Sequence, residues 1–179
     1  MKQKVNGFTM VEIVLVMAIA GGIFAGIVIA LQGVWADARD SERRDDLLTF
    51  IRILKNYQTN NSRGALPINT GIVRGETIAT KRDNPTDEIA ANTWAGFYRD
   101  YFNNQYTDPD GPYYDLSIRS CPTGTKLDES CGLTMADRYT LNVVTGAVCY
   151  GEDAVRSAND RNVAVLYKME AGGTYCENT

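Results

Sequence analysis

From Phe8 to Leu31 the chain runs for twenty-four residues whose only charge is Glu12. A helix of that length rises about 36 Å, enough to cross a hydrocarbon core of ~30 Å. A dense charged run, DARDSERRDD, occupies positions 37–46. Beyond it Leu47, Phe50, Ile51, Leu54 and Tyr57 recur at intervals of three and four, the spacing of a single apolar helix face. With no Pro or Gly between Val34 and Asn60, the pattern predicts one helix from Phe8 to Gln58, apolar all round in its first half and striped in its second. A helical pair between Asp40 and Arg44, four residues apart, reads as a solvated surface contact.

The rest of the chain carries different signals. NNSRGALPINTG is loop-like in its Asn, Gly and Pro content, and positions 65–86 show no clear period. Ile89, Trp94, Phe97, Tyr98, Tyr101 and Phe102 predict a short amphipathic helix over Asp87–Tyr106, with the aromatics in a core. Strand patterns follow at Pro112–Ile118, Arg138–Val144, Ala147–Tyr150, Asn162–Lys168 and Thr174–Cys176. Thr145-Gly146 and Ala171–Gly173 read as hairpin turns between them. The expected fold is α+β: a long N-terminal helix, membrane-spanning in one half and amphipathic in the other, packed on a C-terminal antiparallel sheet.

Composition narrows the chemistry. The chain has 179 residues, a net charge of -4 and no histidine, which removes the commonest general base and the commonest zinc ligand. No Gly-rich phosphate loop, nucleophile elbow or basic-aromatic patch is present, so the expectation is neither an enzyme nor a specific nucleic-acid binder. The four cysteines, Cys121, Cys131, Cys149 and Cys176, are even in number, lack CxxC spacing and follow an export-type segment. They point to disulfides formed outside the cytoplasm, with reduced buried thiols as the alternative. Three pairings are open. A local Cys121–Cys131 loop and a cross-sheet Cys149–Cys176 bridge are favoured. Asp108, Asp110 and Asp115 offer hard oxygens for calcium, but they lack the EF-hand loop and its closing Glu. A solvated acidic turn is therefore the preferred reading, and no cofactor is expected.

Lys2 and Lys4 precede the apolar run and favour a cytoplasmic N-terminus. Glu12 is the anomaly. A carboxylate inside an apolar span costs several kcal/mol unless it finds a partner or stays protonated, and a fitting partner is an amine at similar depth on a neighbouring copy. The segment Gly7-Phe8-Thr9-Met10-Val11-Glu12, led by a short basic stretch and followed by an unbroken apolar helix, resembles the precursor motif of type IV pilins and pseudopilins. That resemblance covers about the first thirty residues.

The resemblance implies a leader at 1–7, cleavage by a prepilin peptidase between Gly7 and Phe8, N-methylation of Phe8, and use of Glu12 as the assembly carboxylate. It further implies a helix over 8–58, with 8–31 in the membrane and then in the filament core, and a head over 59–179. The partners implied are other copies and minor pilins, an assembly platform with its motor, and the membrane before assembly. The destination is an extracellular filament. One departure from the family is the missing mid-helix proline, near Ile29. Gly21, Gly22 and Gly26 stand in that region, either to permit local unwinding or to pack closely.

Asp108-Pro109-Asp110-Gly111-Pro112-Tyr113-Tyr114 resembles the DPxGxxY stretch that opens the sheet in secretion pseudopilins. Its residue types are those of a chain reversal. The expected function is a structural pilus subunit for attachment, motility or DNA uptake. The alternatives are a pseudopilin of a secretion or competence system and a membrane-anchored adhesin that does not polymerise.

Overall fold

Helix α1 runs from Met10 to Asn60, close to the expected limits. The computed structural model describes residues 8–61, 64–82, 89–102, 106–135 and 139–179, and the chain divides into two units at Ala38/Arg39. In the first unit the apolar side chains from Phe8 to Leu31 lie exposed, and α1 is long and apolar enough to cross a membrane. The helix is continuous through Gly21, Gly22 and Gly26, each with open space where a Cβ would stand.

The second unit, Arg39–Thr179, includes the remainder of α1. Here Leu47, Phe50, Ile51, Leu54 and Tyr57 are all buried, because three- and four-residue steps return a side chain to the same helix face. The helix ends where the backbone and side-chain amides of Asn61 both donate to the Tyr57 carbonyl (3.0 and 2.9 Å). The segment read as irregular holds a short strand, β1 (Gly71–Val73), and helix α2 (Gly75–Arg82). Of the helix expected over Asp87–Tyr106, residues 87–88 and 103–105 lie outside the described residues; the rest holds a single turn, α3 (Trp94–Phe97), that passes into a π-helical turn at Tyr98–Phe102. Thr93 caps α3, its hydroxyl accepting from the Gly96 amide (3.1 Å). Burial of the aromatics, not helix length, decided this segment: Trp94, Phe97, Tyr98 and Phe102 are all in the core.

Strands β2 (Asp115–Ser120), β3 (Thr140–Thr145), β6 (Val163–Lys168) and β7 (Thr174–Asn178) join β1 in one sheet ordered β1-β2-β3-β6-β7. The sheet is mixed, which corrects the all-antiparallel expectation: β2 and β3 are parallel, with Asp115 opposite Thr140 and Ser117 opposite Asn142. Parallel neighbours need a crossover, and the chain between Ser120 and Thr140 makes that connection. The Cys121–Cys131 disulfide closes its first part. That loop then pairs with β5 (Asp153–Arg156) through Asp128 N–H to Arg156 O (3.1 Å) and Cys131 N–H to Ala154 O (2.9 Å).

Thr145-Gly146 is not a hairpin within the sheet. Gly146, at φ 71°, turns the chain out into β4 (Ala147–Tyr150), which pairs with β5 as a separate two-stranded sheet. The β6–β7 hairpin turns at Ala171–Gly173 as expected, and Cys149–Cys176 joins the two sheets. Both disulfides are the favoured pairs.

Two apolar layers result. Leu116, Ile118, Leu141, Val143, Val163, Val165 and Tyr167 face α1 and the aromatic turn; Val144, Ala164 and Leu166 face β4, β5 and the Cys121–Cys131 bridge. Strand β6 is buried on both faces, which is why it reads as an unbroken apolar run. Phe97 is the pivot of the first layer, edge-on to Phe50 (5.7 Å), Tyr57 (5.3 Å) and Trp94 (5.7 Å). Phe97→Ala is expected to cost about 3–5 kcal/mol, measured as a shift in the urea midpoint. A loss below about 1 kcal/mol would remove Phe97 from the core.

Candidate functional site

Two sites emerge, one in each unit. At the start of α1, Thr9 and Glu12 cap the helix reciprocally. The Glu12 amide donates to Thr9 Oγ1 (3.3 Å), while Glu12 Oε2 accepts from the Thr9 amide (3.2 Å) and hydroxyl (3.2 Å). This T-x-x-E box satisfies two N–H groups that the first helical turn leaves without partners. It also places a carboxylate at the positive end of the helix dipole. The signal was in the sequence, and Glu12 is less anomalous than its apolar surroundings suggested. Phe8 stands beside the box, 82% exposed. Gly7 lies outside the described residues.

The second site was missed. Asp40 does not form a surface pair with Arg44; it bonds to Arg43 (2.9 Å), and both Asp40 and Arg43 are buried. Arg43 grips Asp108 with two N–H groups, Nε to Oδ2 and Nη2 to Oδ1, each 2.8 Å. The same guanidinium reaches Asp110 Oδ2 (2.7 Å) and Glu170 Oε2 (3.1 Å). Asp40 accepts from the Glu170 and Ala171 amides (2.9 Å each), and Arg39 forks onto Glu170 (2.8 and 2.6 Å). One cluster therefore ties α1 to the Asp108–Gly111 turn and to the tip of the β6–β7 hairpin.

Aromatic hydroxyls extend it. Tyr167 Oη donates to Asp108 Oδ2 (2.7 Å) and accepts the Tyr139 amide (3.3 Å). Tyr139 holds a left-handed backbone, φ 68°, a conformation that costs a bulky residue on the order of 1–3 kcal/mol. It is fixed from both sides, since its carbonyl accepts from the Asp115 amide (2.9 Å).

Burial pushes the Asp108 carboxyl up, but bonds from Arg43, the Asp110 amide and Tyr167 outweigh this and hold it below the usual range. Asp40 follows the same pattern through the Ala171 and Glu170 amides and Arg43. Arg39 and Arg43 pull Glu170 down to about 2. Asp46 goes the other way: burial raises it, against the bond it accepts from Tyr114 (3.0 Å).

The acids considered for calcium are thus divided. Asp108 and Asp110 face Arg43, whereas Asp115 takes Arg74 Nη1 (2.6 Å) and the Gly75 amide (2.8 Å). Among the described residues no group of three acids, cysteines or histidines is placed to hold a metal ion. Set against known proteins, the chain matches no family model, and no curated protein or solved structure is similar enough to count as a match.

Carboxylates held below their ordinary range stabilise the fold above that range and lose their contribution as pH falls through the folded value. For Glu170 the window lies between 4.5 and about 2. Arg43→Ala leaves buried carboxylates uncompensated and is expected to cost about 3–5 kcal/mol at neutral pH. The deficit against wild type should shrink as the pH is lowered into that window. Denaturant titrations of both proteins at several pH values test this; a deficit independent of pH would rule out the charge explanation.

Proposed function

We propose that this protein is a structural subunit of a type IV pilus-like filament. It is inserted as a single-pass precursor with its head outside, cut between Gly7 and Phe8, methylated at Phe8, and then polymerised through α1. The observation that carries the reading is the segment Gly7–Glu12 set directly before an apolar helix long enough to span a membrane. The exposure of the α1 side chains up to Leu31 supports it, because an apolar surface of that extent has to be covered by lipid or by other helices. In the membrane lipid covers it; in the filament neighbouring helices do.

The capping box refines the part played by Glu12. In a lone subunit the carboxylate is bonded to Thr9. During assembly a neighbour's terminal amine, freed by the cut, is a stronger partner, since a bond between two charged groups exceeds one from a neutral amide or hydroxyl. Glu12 therefore exchanges a local cap for an intersubunit ion pair and sets the axial register.

A second reading, a pseudopilin of a secretion or competence system, is favoured by Asp108–Tyr114, which resembles the pseudopilin stretch and leads into β2. Long external filaments labelled by antibody to the head would support the pilus; short filaments confined to the envelope would support the pseudopilus.

Intact mass of the native protein should show loss of residues 1–7 plus one methyl group; an uncut chain would point instead to a membrane-anchored adhesin. Gly7→Leu should accumulate as uncut precursor. Glu12→Ala should be cleaved normally yet yield less than about a tenth of wild-type filament, given the several kcal/mol an unpaired intramembrane charge carries. Abundant normal filaments from Glu12→Ala would sink the assembly role.

A further inference from the structure

We propose that the head carries a binding site for a neutral saccharide, in a cavity of about 530 Å³ at the N-terminal ends of β2 and β3. The site does not depend on the filament reading. It lies on the sheet face opposite α1, by simple alternation: Leu116, Ile118, Leu141 and Val143 enter the core against the helix, so Asp115, Ser117 and Thr140 turn the other way. Toward the C-terminal end of β3 that same face is covered by β4, β5 and the Cys121–Cys131 bridge. At the N-terminal end the cavity takes their place.

Its volume falls in the ~300–1,000 Å³ range of small-ligand sites, and its lining has the chemistry of polyol recognition. Tyr113 and Tyr139 provide aromatic surface for the C–H face of a sugar ring. Ser117 and Thr140 are 3% and 8% exposed, and among the described residues neither hydroxyl is engaged in a hydrogen bond. Neither is sealed off, because among the described residues no fully occluded side-chain polar atom lacks a partner. Each hydroxyl is open to solvent on that side, so a ligand entering the cavity can bond it in place of water.

The rim is preset as well. Asp115 is held by Arg74 and the Gly75 amide, and Tyr139 is fixed in its left-handed conformation by the Asp115 amide and Tyr167. A strained aromatic lining a cavity is a known sign of a side chain placed for use.

Charge selects the ligand class. The lining holds one cation, Arg74, and two acids, Glu76 and Asp115. An anion meets an excess of carboxylate, and an ammonium group finds Asp115 already paired with Arg74. A neutral ligand with many hydroxyls can both donate to the carboxylates and accept from Arg74, the tyrosines, Ser117 and Thr140.

Saturation-transfer NMR tests this on the full chain, in a detergent without a sugar headgroup, with the methyl glycosides of glucose, galactose, mannose and N-acetylglucosamine. At least one should bind saturably. Ser117→Ala and Thr140→Val should each weaken that binding by about fivefold or more, the effect of one lost hydrogen bond. Tyr113→Ala should abolish it. Tyr150→Ala, an exposed ring away from the cavity, should leave it unchanged. If Tyr113→Ala does not fold, the two hydroxyl variants decide alone, since Thr140→Val keeps a β-branched shape in its strand. The proposal is overturned by no transfer to any glycoside, by binding that Ser117→Ala and Thr140→Val leave intact, or by displacement of the sugars by tetramethylammonium or inorganic phosphate.

Discussion

A guanidinium taken out of water keeps its charge, so it must be surrounded by acceptors in the plane of its fork. Arg43 meets that demand with carboxylates from three chain segments, Asp40 on its own helix, Asp108 and Asp110 in the turn before β2, and Glu170 at the β6–β7 tip. Four acids face two arginines, an imbalance that would be prohibitive if all were dry. It is relieved at the edge: Asp110 and Glu170 keep 29% and 20% of their side chains in solvent, while Asp40 and Asp108 have 3% and 0%. The strict requirement is therefore on the inner pair, and the Glu170, Ala171 and Asp110 amides meet what Arg43 leaves unsatisfied. Replacing such a cluster with apolar groups can be neutral for stability. It also bears on registry, because one fork holds the Asp108–Gly111 turn and the β6–β7 tip at the same time.

That registry reaches beyond the cluster. Asp108 receives Tyr167, Tyr167 receives the Tyr139 amide, and Tyr139 receives the Asp115 amide at the first residue of β2. The parallel start of β2 against β3 and the strained tyrosine at the cavity are thus fixed by a chain of bonds that begins on α1. The disulfides act in the second layer, where Cys121–Cys131 closes the start of the crossover and Cys149–Cys176 ties β4 to β7.

The elements legible in the sequence were those with a strong period or a strong turn. The α1 stripe from Leu47 to Tyr57 and the β6–β7 hairpin belong here, as do the favoured cysteine pairs. Three features were hidden for distinct reasons. A parallel β2–β3 pair has no local signature, since its partners are joined by a long crossover rather than a turn. Strand β5, four residues in DAVR, is too short to show alternation. The Arg43 cluster sits in a run of ten mostly charged residues, where composition argues for solvent. Only the positions of Asp108 and Glu170, more than sixty and more than a hundred residues away, bury Arg43. The Thr9–Glu12 box, by contrast, is legible as T-x-x-E ahead of an apolar run; the same apolar run makes Glu12 stand out as a charge before it stands out as a cap.

The cap changes what the acid contributes to the proposed assembly. An unsatisfied carboxylate in lipid would drive a subunit toward any available cation and raise the risk of indiscriminate association. A capped one is held by two bonds of 3.2 Å from Thr9, whose donors are neutral and so weaker partners than a charged amine. Such a residue waits for a specific partner without unravelling the helix that presents it. On this view Thr9 is as much a part of the assembly segment as Glu12: it keeps the first turn wound and the acid aimed before cleavage supplies a neighbour's amine. In the proposed assembly the selectivity would lie in depth along the apolar helix, where an amine delivered to the level of the first turn would displace the cap.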